Sequence, residues 1–213
     1  MRDGGIGRIL VAALHQGIAD HVPSRLEFYE NWLNPIGLRD GTIGLAPVAA
    51  VLSFLRREDG AYEPVTRRAG EYAGEWTVDG LSALRRRTIR ALPRPLRARL
   101  ALAVGQDVVR AAYGGSRALV RIRGGRARVL IRSSIFCGVR QPAAAPLCGF
   151  YAAAFERVLA SLGAPARAEI TRCRGAGDPE CRFDLAFGLR AEARTAEVST
   201  VPAGGAATAS ERA

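Results

Sequence analysis

Lysine is missing from this 213-residue sequence, histidine occurs only twice, and no cysteine stands before residue 137. Each scarcity removes a class of function. All 31 basic residues are arginine, in a chain rich in alanine and glycine, so the formal charge of +11 reads as coding bias as much as selection for a polyanion. No groove-reading motif accompanies the charge, which argues against a nucleic-acid partner. With His15 and His21 both near the amino terminus, a nucleophile–base pair would have to be built around that one segment. No uncharged apolar run reaches the roughly 18 to 20 residues of a membrane span. The longest, Ile43 to Leu55, is too short, and the amino-terminal apolar stretch lacks a signal-peptide cleavage site. A cytoplasmic protein is the expectation. The glycine-rich DGGIGRI, from Asp3 to Ile9, lacks the preceding strand and full spacing of a dinucleotide fingerprint.

What is present is a pattern of helices followed by strands. Helices are expected over Ile9 to Ile18, Ala46 to Glu58 and Pro64 to Trp76, and across Asp79 to Tyr113 with a break at Pro93 and Pro95. Gly70 and Gly74 are spaced to bring one helix face close to a neighbour. The stretch RALVRIRGGRARVLIRSS alternates apolar and basic residues about Gly124-Gly125, the composition of a two-residue hairpin turn. It predicts one buried face and one solvated arginine ladder. An amphipathic helix from Leu147 to Leu162 follows, then strands near Arg167 to Cys173 and Cys181 to Phe187. The fold class is therefore α+β, with an antiparallel sheet of two hairpins packed against helices. We expect a helical layer over residues 1–61, a ligand-binding domain over 62–188 and a disordered tail over 189–213.

Four cysteines confined to 45 residues of a chain without a secretory signal read as metal ligands, core thiols or a redox pair before disulfides. No two-residue-gap pair occurs among Cys137, Cys148, Cys173 and Cys181, so spacing alone does not identify a zinc motif. Topology does better. Cys137 is expected to end the second hairpin strand, Cys148 to open the helix, and Cys173 and Cys181 to flank a tight turn. Four thiolates suffice for a closed tetrahedral zinc site. Glu169, Asp178 or water would complete it if Cys137 pointed away. Such a closed site would be a structural staple, with no position left for substrate. Trp76, Tyr113, Phe136, Phe150 and Tyr151 are candidates to line an apolar pocket, with Arg132 or Arg140 at its rim for a ligand carboxylate.

The run PLCGFYAAAFERVL followed by EITRCRGAGDPECRFDL resembles the signature of the 4-vinyl reductase domain family. RSSIFCGVR and the segment from RAGEYAGEW through ALPRPLRARLALAVGQDVVRAAYGG are similar to its bacteriochlorophyll 4-vinyl reductase branch, so that the likeness covers about residues 62–187. The resemblance implies a ligand-binding α+β fold, often homodimeric, with zinc at the cysteine cluster and an apolar or tetrapyrrole-like small molecule as ligand. It implies an accessory or carrier role in bacteriochlorophyll biosynthesis, with a tetrapyrrole vinyl reductase, an aromatic-ligand sensor or a protein-interaction module as alternatives. Phenol-sensing members place a glutamate three residues before the middle strand cysteine. Here that position is Ile170, and Glu169 would face the other side of the strand, which favours Cys137 as the fourth ligand. No ATPase or DNA-binding region follows in this sequence, so a stand-alone protein is expected.

Overall fold

The computed structural model describes residues 5–30, 32–33, 44–58 and 60–187. The tail expected over 189–213 lies outside the described residues. Helices α1 (Arg8–His21), α2 (Leu26–Glu30), α3 (Leu45–Leu55), α4 (Tyr62–Asp79), α5 (Ala83–Ala91) and α6 (Arg94–Ala112) precede the first hairpin, β1 (Arg117–Arg123) and β2 (Arg126–Arg132). Helix α7 (Gly149–Ser161) and strands β3 (Ala166–Arg172) and β4 (Cys181–Phe187) complete the chain. The α+β class is as expected, and the break between α5 and α6 falls where Pro93 sits outside either helix and Pro95 in the first turn of α6.

All four strands form one antiparallel sheet in the order β1-β2-β4-β3. Gly124 and Gly125, with φ of 57° and 71°, make the hairpin turn, a backbone shape that side-chain-bearing residues resist. The pleat then sorts the residues. Val129, Ile131, Phe183 and Leu185 point inward and are buried. The outer face carries Arg117 opposite Arg132, Arg121 opposite Arg128, and Arg123 opposite Arg126. Strands β1 and β3 are the sheet's two edges.

Helix α7 covers the inner face, where the Phe155 and Phe183 rings meet edge to face at 5.4 Å. It is buried almost all round because α4 packs against its other side. The approach is close enough to need glycine. A Cβ on Gly70 would lie 2.2 Å from the Phe150 carbonyl oxygen, and one on Gly74 would lie 2.7 Å from that of Ala154. Helix α1 packs behind α4, so that one continuous core runs from Leu10 to Leu185.

DGGIGRI turns out to contain a packing element. Gly7 abuts the end of α6, its amide donating to the Ala112 carbonyl at 2.9 Å, and a Cβ there would overlap the Ala111 carbonyl. Glu71 and Glu75 of α4 pair with Arg68 and Arg157 at 2.9 and 2.6 Å.

Candidate metal centre

Two turns and a helix start bring the cysteines together. After β2, Ser133 adopts φ 56°, a left-handed turn that leads the chain out of the sheet. A single 3-10 turn, Ile135–Cys137, then delivers the first thiol. This corrects the expectation that Cys137 ends the strand: β2 stops at Arg132, five residues earlier. Cys148 occupies the position just before α7, as expected. Cys173 follows β3, and Cys181 begins β4 after a turn in which Gly177 has φ 98°.

The four Sγ atoms lie within 4.8 Å of one another. Cys137 is 3.2 Å from Cys148, 3.5 Å from Cys173 and 3.4 Å from Cys181, and Cys148 is 3.6 Å from Cys173. These separations exceed the roughly 2.05 Å of a disulfide and approach the edge of a tetrahedron, about 3.8 Å when metal–sulfur bonds are about 2.3 Å. All four cysteines are free thiols. Three are buried and Cys137 is half-buried.

Two of the sulfurs receive hydrogen bonds from outside the cluster. The Leu147 amide donates to the Cys173 sulfur at 3.2 Å, and the Ser134 hydroxyl to the Cys137 sulfur at 3.5 Å. Hydrogen bonds from the other three thiols, and then from that amide, hold the Cys173 thiol below its ordinary range. Interaction with the same neighbours, joined by burial, pushes Cys148 up. The cause is mutual: sulfurs this close cannot all shed protons without a cation among them. Four thiol sulfurs at these separations form a donor set that could hold a metal ion of the thiolate-seeking kind.

Neither carboxylate considered as an alternative fourth ligand joins the sulfur group. Asp178 accepts the Cys173 amide at 2.7 Å, capping the turn. Glu169 pairs in register with Asp184 on the sheet's outer face.

The candidate pocket residues divide among several places. Phe136, Phe150 and Tyr151 come together as one buried aromatic cluster: Phe136 stacks on Phe150 at 4.8 Å and meets Tyr151 edge to face at 5.2 Å. Trp76 lies on α4, stacked on Tyr72 at 5.3 Å. Tyr113 ends α6 and forms an isolated bridge with Ile6. Arg132 is exposed on the outer sheet face.

A cavity of about 680 Å³ opens beside the loop that leaves Cys137. Its lining includes Ser53, Arg56 and Arg57 from the end of α3, and Val139, Arg140 and Gln141 from that loop. Arg140 was one of the rim arginines expected from the sequence. Arg56 and Arg57 were not anticipated; the available signal was a pair of arginines directly after the apolar helix residues LSFL.

No family model matches this sequence, and no curated protein matches it. Among solved structures, the chain is similar to the phenol-responsive sensory domain of the transcription activator PoxR, crystallised with phenol. The identity is 18%, over 64% of this chain and 72% of that one, with a TM-score of 0.46.

Proposed function

We propose that this protein is a small-molecule-binding module stapled by a zinc ion held by Cys137, Cys148, Cys173 and Cys181. The convergence of four thiol sulfurs from two turns and a helix start is the observation that carries the reading. Zinc bound there would supply folding free energy and electrophilic neutralisation of the thiolates, with no open coordination position for substrate. The protein's own residues provide the rest. The Leu147 amide and Ser134 hydroxyl orient two sulfurs, while Tyr62 ties α4 to the site by donating its hydroxyl to the Leu147 carbonyl at 3.1 Å.

The ligand belongs, in this reading, in the open cavity beside the loop that leaves Cys137. The resemblance of the cysteine-bearing segments to the 4-vinyl reductase domain family supports an apolar or tetrapyrrole-like ligand and an accessory role in bacteriochlorophyll biosynthesis. That family resemblance also supports a homodimer.

Native mass spectrometry of protein purified without added metal tests the staple. One zinc mass per chain is expected, and a metal-free protein of unaltered fold overturns it. Incubation with a divinyl chlorophyllide and NADPH should leave the pigment's absorption band in place; a blue shift would make the protein a reductase instead.

A further inference from the structure

Three arginines face the 680 Å³ cavity, and among the described residues no acidic one lines it. The side chains of Arg57 and Arg140 make no hydrogen bond or ion pair among the described residues, the Arg57 amide alone donating to the Phe54 carbonyl. Arg56 lies with its guanidinium carbon 5.7 Å from the centre of the Tyr62 ring, and its Nη1 is buried without a hydrogen-bond partner. A guanidinium does not relieve this by losing its proton, because arginine stays charged at any physiological pH. A buried charged donor left unpaired is costly, and three cations around one concavity add mutual repulsion. The arrangement lacks an anion.

The cavity wall is built to hold its charges in place. Arg56 and Arg57 follow the last turn of α3, where the Arg56 amide is still hydrogen-bonded to the Leu52 carbonyl. Arg140 sits on a loop anchored at both ends, by Cys137 in the cluster and by the Ala143 amide donating to the Gly175 carbonyl at 2.7 Å. Ala49, Val139 and Ala143 add apolar wall between the charges.

We infer that this cavity is a binding site for a small organic polyanion, whose carboxylate or phosphate oxygens pair with Arg56, Arg57 and Arg140. Planar guanidinium forks accept either oxyanion in bidentate fashion, and the apolar wall suits the carbon frame between acidic groups. The inference rests on the small-molecule reading, narrows it to an acid-bearing ligand against a purely apolar one, and does not depend on the metal.

Isothermal titration calorimetry of the full chain, in buffer free of phosphate and carboxylate, tests it with citrate and with pyrophosphate at matched ionic strength. Saturable one-to-one binding of at least one probe is expected, and the tighter probe identifies the oxyanion class. Arg57→Gln and Arg140→Gln should each weaken that binding about tenfold, the loss of one charge-assisted contact. Arg121→Gln, on the outer sheet face, should leave it unchanged. Circular dichroism establishes that each variant folds. Absence of saturable binding by both probes overturns the site, as does equal weakening by Arg121→Gln, which would mark a bulk charge effect. So does loss of metal affinity in the Arg57 and Arg140 variants without any probe binding, which would make the arginines counterions of the thiolates. A metal-free protein that still binds its probe at this cavity would sink the zinc reading alone.

Discussion

The sulfurs of Cys137 and Cys148 lie 3.2 Å apart although a proline-bearing loop of ten residues separates the two in sequence. Closing that loop, and the longer one to Cys173, costs chain entropy that the bare thiols recover poorly. Replacing Cys148 or Cys173 with serine should therefore release the metal and lower stability by about 3 kcal/mol or more. Metal analysis of the purified variants and urea denaturation check this together. Retention of both metal and stability would show that the cysteines are ordinary core thiols.

The contact of α4 with α7 leaves no room for a methyl group at Gly70. Gly70→Ala puts a Cβ against the Phe150 carbonyl oxygen, so the helices must separate, at a cost of about 2 to 3 kcal/mol. Gly44→Ala, with open space around the same atom, is the control and should change stability by less than about 1 kcal/mol. Denaturant midpoints of the two variants give the comparison.

Asp20, near the end of α1, accepts hydrogen bonds from Arg68 and from the Tyr72 hydroxyl, each at 2.8 Å. The Arg68 bond first, and then that of Tyr72, hold its carboxyl at about 2, below the ordinary 3.8. The folded protein therefore binds this proton less readily than the unfolded chain. The resulting stabilisation is complete above about pH 4 and is lost as pH falls through about 2. Asp20→Asn should flatten that segment of the stability–pH profile, measured by denaturation from about pH 5 downward. An unchanged profile would assign the acid lability to other carboxylates.

Three arginine pairs stand directly opposite each other across the first hairpin. Like charges in that position oppose the pairing of the strands. Arg123→Glu, facing Arg126, should stabilise the protein by about 0.5 kcal/mol at low salt, with the gain shrinking as salt rises. Thermal melts at low and high sodium chloride provide the check.

The elements of this fold were legible where local rules act alone. Periodicity, Pro93 and Gly124-Gly125 located the helix break and the first hairpin, and the Gly70–Gly74 spacing announced a close helix contact. The strand order was not legible, because alternation says which face a residue takes and nothing about which strand lies beside it. For β4 that neighbour on one side is β2, far away in sequence. The thiol cluster was anticipated as a gathering, while the path of Cys137 was not, since the left-handed turn at Ser133 has no glycine to mark it. The cavity arginines were least visible. Arg56 and Arg140 are 84 positions apart, and only the packing of α3 against the loop after Cys137 relates them.

The sheet ends at β1, whose unpaired backbone groups would ordinarily invite another strand. Arg117, Arg121 and Arg123 crowd that border, and a second molecule offering the same border brings the same charges. Like charges brought together along that border oppose a ladder between two copies, so this edge resists pairing with its own twin.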